Sequence, residues 1–288
     1  MLHPGYSLPE TCQYRPKVLR PQIAAIVACS LLPCLAGCAG TDPVDRLATR
    51  GELQRTTLVA GDFELVHLGP SLPEPTDELV VYLGSDGRPW VDNRPAADPT
   101  GRRSLALELM LRDPRPAVYL GRPCYHGRAN APLCDARLWT AGRYSDTVVD
   151  AMVTGLRALI AQHRPRRLSL VGYSGGGTLS VLAASRLPAD TEITVITVAA
   201  NLDPPAWTAF HDLLPLSDSL DPVDTVPSPT RFRQIHLVGT ADARVPVQTI
   251  RRYRDRHPDA RVVEVEGFDH VCCWVRDWPE ILERASAM

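Results

Sequence analysis

From Leu79 onward the chain alternates short apolar runs with longer segments that carry apolar residues on one helical face. ELVVYL (78–83), PAVYLG (116–121), RLSLVG (167–172), ITVITVA (193–199), QIHLVG (234–239) and RVVEVEG (261–267) have the length and β-branched content of strands. Between them, residues 102–112 have helical spacing, and 145–162 places Val148, Val149, Met152, Leu156, Leu159 and Ile160 on one face. GGTLSVLAASRL (176–187) predicts a small-residue helix able to pack closely on a sheet. Further helices are expected over 247–256, opened by Pro246, and over 277–286. Strand-helix alternation implies parallel pairing, hence an α/β three-layer sandwich with a mostly parallel central sheet. TTLVA (56–60) and FELVHLG (63–69) are separated only by Gly61-Asp62. That spacing predicts a hairpin, adding an antiparallel N-terminal edge. Residues 201–230, rich in Pro, Asp and Trp, break the alternation and predict a cap-like excursion over the sheet.

Composition fits one such domain. The 288 residues are 44% hydrophobic and 22% charged, enough for a single full core, with neither a Gly/Ser linker nor an internal repeat. The 27 prolines cluster in loops such as 70–75 and 222–229, which describes an irregular surface.

The N-terminal segment is different in kind. Arg15, Lys17 and Arg20 precede an apolar run from Ile23 to Cys38 that Pro33 interrupts. It is too short for a comfortable membrane span and has the layout of a secretory signal. An anchor or an ordinary cleaved signal would share that layout, but Leu35-Ala36-Gly37-Cys38 resembles the lipobox of bacterial lipoproteins. The resemblance implies a signal peptide over 1–37, acylation of Cys38 as the mature N-terminus, a tether over 38–54 and a folded domain over 55–288. It further implies lipid attachment to the cell envelope. With no early Asp after Cys38, the outer membrane facing the periplasm is the expected location. Removal of the leader takes Glu10, Arg15, Lys17 and Arg20 with it and moves the formal net charge from −2 to −4. The remaining arginines are scattered among acids, so no nucleic-acid partner is expected. Four cysteines remain beyond Cys38. In an oxidising compartment Cys124–Cys134 is the expected disulfide, while adjacent Cys272 and Cys273 form a vicinal bridge or stay reduced. Their spacing is poor for zinc. The chain carries no cofactor fingerprint or phosphate cradle, so no cofactor is expected.

The candidate chemistry centres on GYSGG, Gly172 to Gly176, a G-x-S-x-G pattern between a predicted strand and a predicted helix. A turn this sharp crowds the backbone around Ser174 and projects its hydroxyl above the sheet. A serine hydroxyl needs a base and a group to orient that base. On a parallel sheet both come from loops at the carboxyl ends of strands. Asp242 in HLVGTADARVP and His270 in VEVEGFDHVCCW stand in such loops, giving the chain order Ser174, Asp242, His270. This order on this alternation resembles the α/β-hydrolase superfamily over about residues 56–286. The resemblance implies Ser174 as nucleophile, His270 as general base and then acid, and Asp242 as the orienting carboxylate. Asp203, after ITVITVA, is the rival acid. His211, His236 and His257 are weaker bases, and Asp269 is expected to be structural or exposed.

An acyl-transfer site also needs an oxyanion hole. The backbone N–H of Gly175 supplies one donor, and the loop LGSDGRPW (83–90) after the first parallel strand supplies the other, expected at Asp86. Many superfamily members carry His-Gly before that donor; here the residues are Gly84-Ser85. The segment 119–145 is similar to that of a group of bacterial hydrolases sharing an RPC…C…W pattern and a Cys-Cys-Trp after the histidine. Its Tyr125 and Trp139 line a pocket or pack. The resemblance implies a serine hydrolase acting on an ester, more than a peptide, by an acyl-enzyme with a small-molecule or acyl substrate. An acyltransferase with the same triad and a non-catalytic envelope lipoprotein are the alternatives. The substrate itself is not legible.

Overall fold

The computed structural model describes residues 42–286. The expected signal peptide over 1–37 and Cys38 lie outside the described residues. An eight-stranded sheet runs in the order β1 (Gln54–Ala60), β2 (Phe63–Gly69), β6 (Ala117–Leu120), β3 (Glu78–Leu83), β7 (Arg167–Tyr173), β8 (Glu192–Val198), β9 (Arg233–Gly239), β10 (Arg261–Val265). β1 pairs with β2 and β2 with β6 in antiparallel fashion; all other pairings in this sheet are parallel. The α/β three-layer architecture and its antiparallel N-terminal edge are therefore as expected.

Side chains alternate across the sheet, as the two-residue period of a strand requires. Leu79, Val81 and Leu83 of β3 enter one core layer, where α3 (Asp146–His163) and α4 (Gly175–Arg186) contribute Met152, Leu156, Leu159, Leu179 and Leu182. Val80 and Tyr82 enter the opposite layer with Leu107 and Leu109 of α2 (Leu105–Met110) and Trp274 and Trp278 of α8 (Trp274–Ser286). Burial on both faces explains why these strands read as unbroken apolar runs. α3 starts where the Ser145 hydroxyl accepts the Val148 N–H, and ends at Arg164, which adopts a left-handed conformation.

Within the expected tether, Pro43–Arg50 is a helix, α1. Asp42 caps it by accepting the Val44 N–H, and Val44 and Ala48 are buried against the second core layer. The folded body therefore includes residues placed in the tether by sequence. A short hairpin pairs β4 (Trp90–Val91) with β5 (Arg94–Pro95) after β3. The excursion holds α5 (Pro204–Phe210) and α6 (Pro222–Thr225). Two hooks seat α5 on the loop after β9: the Trp207 indole N–H donates to the Arg244 carbonyl at 2.7 Å, and His211 Nε2 reaches the same oxygen at 2.8 Å. Phe210, Leu213 and Leu214 remain exposed beyond it. The helix expected over 247–256 is a 3-10 turn, Val247–Ile250, followed by α7 (Arg251–Arg256). Among the described residues no helix is long and apolar enough to cross a membrane.

Candidate active site

Ser174 is the single residue between β7 and α4, with φ 52° and ψ −127°. That conformation costs a non-glycine residue of order 1–3 kcal/mol and persists only where its surroundings hold it. The Ser174 N–H donates to the Val198 carbonyl and the Ser174 carbonyl accepts the Gly177 N–H, both at 2.8 Å. Two glycines make the turn possible by close approach. A Cβ on Gly172 would stand 2.3 Å from the Gly176 oxygen, and one on Gly175 would stand 2.1 Å from Asp86 Oδ1. The G-x-S-x-G pattern thus marks a strand-to-helix elbow, as its context in the sequence predicts.

Asp242 and His270 follow β9 and β10, at the same end of the sheet. Asp242 is buried and fully engaged. Its Oδ1 accepts the N–H groups of Arg244 and Val245, each at 2.8 Å, and its Oδ2 faces His270 Nδ1 at 2.8 Å. A carboxylate can only accept, so Nδ1 carries a proton, and the tautomer this selects has its lone pair at Nε2. The imidazole lies beside the elbow. The ring of Tyr173, the residue before Ser174, is 5.2 Å from it, and the Tyr173 hydroxyl donates to the His270 carbonyl at 2.9 Å. Burial pushes the Tyr173 phenol well above its ordinary range, which keeps it a donor. Asp269 shapes the loop: its carboxylate accepts the Val271 and Cys272 N–H groups, and its carbonyl accepts the Trp274 indole N–H. Cys272 and Cys273 are disulfide-bonded to each other.

The rivals are engaged elsewhere. Asp203 caps α5 by accepting the Ala206 N–H and pairs with Arg252 at 3.0 Å. His211 is spent on the Arg244 carbonyl, and His257 is buried against the Tyr253 ring. His236 is buried within β9 between Thr197 and Gln234, and burial depresses its pKa to about 3. The unfolded chain binds this proton near the ordinary histidine value of about 6.5, the folded chain only near 3. Its contribution to stability is therefore intact above about pH 6.5 and lost as pH falls through that window, at about 1.4 kcal/mol per unit. His236→Asn is expected to flatten the pH dependence of the urea midpoint between about pH 6 and pH 4.5 by roughly one proton.

The loop after β3 lies against the first residue of α4. The Asp86 carboxylate rests on Gly175, and neither the Asp86 nor the Gly175 N–H is taken up by a hydrogen bond among the described residues. Arg122 Nη1 donates to Asp86 Oδ1, while Oδ2 accepts the Tyr144 hydroxyl at 2.6 Å and Arg143 Nη1 at 3.4 Å. The Tyr125 hydroxyl donates to the Asp86 carbonyl at 3.0 Å. Burial alone would raise the Asp86 carboxyl; Arg122 and Arg143 outweigh it and hold the group below the usual carboxylate range. Arg122 is itself buried, its guanidinium 5.1 Å from the centre of the Tyr125 ring and 5.8 Å from that of Tyr144. Its segment is closed by a disulfide between Cys124 and Cys134. Trp139 is packed in the core beneath. The sequence marked the segment 119–145 and its RPC pattern, which begins at Arg122, but not that Arg122, Arg143 and Tyr144 meet at Asp86, since that meeting is made only by folding. Among the described residues no cluster of His, Cys, Asp and Glu is placed to hold a metal ion.

Comparison with solved structures identifies the architecture as the α/β-hydrolase fold. A membrane phospholipase A, described as a bacterial virulence factor, aligns over 88% of this chain and 93% of its own, at 17% identity and a TM-score of 0.52. An esterase from Pyrococcus furiosus aligns over 83% and 92%, at 12% identity and a TM-score of 0.53. An acylaminoacyl peptidase from Pyrococcus horikoshii aligns over 81% of this chain, at 14% identity and a TM-score of 0.57. The chain spans only 41% of that peptidase. No family model and no curated protein matches the sequence. At these identities the likeness is one of fold.

Proposed function

We propose that the chain is an exported serine hydrolase, held at the envelope by acylation of Cys38, that cleaves a carboxylic ester or amide through an acyl-enzyme on Ser174. The observation that carries this reading is the bond of 2.8 Å between Asp242 and His270, set beside the elbow that presents Ser174. In the reaction, His270 Nε2 takes the Ser174 proton as Oγ attacks the carbonyl carbon. The tetrahedral oxyanion is received by the N–H groups of Gly175 and Asp86, and His270 returns the proton to the leaving alkoxide or amine. Water then repeats the cycle on the acyl-enzyme. Esters are the first substrates to try, because an alkoxide leaves more readily than an amine. Neighbours in fold that include a phospholipase, an esterase and a peptidase are in keeping with acyl hydrolysis. Two disulfides suit an oxidising compartment such as the periplasm, and a lipid anchor on Cys38 would hold the domain at the outer membrane.

A fluorophosphonate probe tests the reading. The wild type is expected to be labelled covalently on the peptide containing Ser174, and Ser174→Ala is expected to give no label. A folded wild type that stays unlabelled and turns over no ester in a panel of increasing acyl length would leave the chain a non-catalytic lipoprotein.

A further inference from the structure

We infer that Arg122 is a positioning residue for the oxyanion hole, neutralising the Asp86 carboxylate that the fold lays against Gly175; this rests on the reading of Ser174 as nucleophile. The difficulty that Arg122 answers is visible in the geometry. The loop that offers the Asp86 N–H also brings a negative carboxylate onto Gly175, where a second negative charge develops during acyl transfer. Left alone, that carboxylate would repel the oxyanion at a site with little water to screen it. The carboxylate is instead covered on both oxygens. Arg122 takes Oδ1, and Tyr144 with Arg143 takes Oδ2. One acid and two arginines leave this group with one formal positive charge.

Arg122 is held for the task. Its second terminal nitrogen donates to the Arg143 carbonyl, and the aromatic rings of Tyr125 and Tyr144 lie beside the guanidinium. Two residues on, Cys124 ties the segment to Cys134. Tyr125 closes the arrangement by donating to the Asp86 carbonyl. A lysine could supply the charge but not the planar fork that reaches the carboxylate and the Arg143 carbonyl together.

The test is steady-state hydrolysis of a p-nitrophenyl ester by wild type, Arg122→Met, Arg122→Lys and the double variant Arg122→Met/Asp86→Asn, each checked for folding by circular dichroism. Arg122→Met is expected to lower kcat at least about 100-fold with KM within about threefold, the size of effect seen when an oxyanion-hole donor is lost. Arg122→Lys is expected to fall about tenfold below wild type. Removing the Asp86 charge in the Arg122→Met background is expected to recover about tenfold in kcat; a merely structural role predicts that a second deletion makes matters worse. Should Arg122→Met fail to fold, Arg122→Lys and Tyr144→Phe carry the same readout, each lowering kcat and sparing KM. Folded variants with wild-type kcat, or a double variant weaker than Arg122→Met, would overturn the inference while a fluorophosphonate-reactive wild type leaves the parent reading standing. An unreactive wild type removes both.

Discussion

Asp242→Asn is expected to lower kcat for ester hydrolysis by about 10⁴-fold while the fold stays intact. The size follows from which atoms the replacement amide must satisfy. Two backbone N–H groups, from Arg244 and Val245, converge on Oδ1. An asparagine must keep its oxygen there, because turning its NH2 toward two donors would leave three buried donors facing one another. The NH2 is then forced toward His270 Nδ1, in the place Oδ2 occupies. Nδ1 must accept, the ring proton moves to Nε2, and the imidazole can no longer take the Ser174 proton. The change is one of tautomer, with nothing else displaced. Circular dichroism and a urea midpoint near that of wild type, together with the loss in kcat, check it. An Asp242→Asn chain retaining more than about a tenth of wild-type kcat would remove Asp242 from the triad.

Ser174→Ala and His270→Ala are each expected to reduce kcat by about 10⁶-fold, and the double variant is expected to be no slower than either. A nucleophile and its base act as one unit, so once either is gone the other has nothing to do. Residual hydrolysis then comes from binding and from the oxyanion donors alone. Additive losses in the double variant would mean that the two residues serve separate functions. Trace activity needs a Ser174→Ala preparation free of wild-type contamination, which fluorophosphonate labelling of the sample verifies directly.

Much of the architecture was legible because burial on both sheet faces leaves little freedom in composition. β7 and β8 are clear examples: beyond Arg167 and Glu192 at their first positions, LSLVGY and ITVITV carry no charge. The 18-residue α3 was equally plain from its apolar face. The short helices were not. α1, α5 and α6 each bury only two side chains, so none produces a readable stripe. All three open on Asp-Pro, at Asp42-Pro43, Asp203-Pro204 and Asp221-Pro222. An acceptor at the cap followed by a residue whose missing N–H costs nothing in the first turn is a start signal, and weighting it would have found them.

The site divides in the same way. Ser174, Asp242 and His270 stand out because each sits just past an apolar run, a relation the linear sequence preserves. The Asp86 cluster does not, since Arg122 and Arg143 lie 36 and 57 residues from Asp86 and meet it only when the loops close on each other. An arginine that is fully buried and one that is fully hydrated look identical in a string of letters. Asp203 shows the converse: it follows a strand at a plausible place, yet folding gives it to a helix cap and to Arg252.

The seat of α5 has a consequence for how such a molecule can change over time. Arg244 offers its amide to Asp242 and its carbonyl to Trp207 and His211. A single residue therefore connects α5 of the excursion to the turn that holds Asp242. Rebuilding α5 would therefore bear on the 242–245 turn as well as on the excursion itself. A chain altered at Trp207 or His211 must either keep a partner for the Arg244 carbonyl or resettle the 242–245 turn alongside the change.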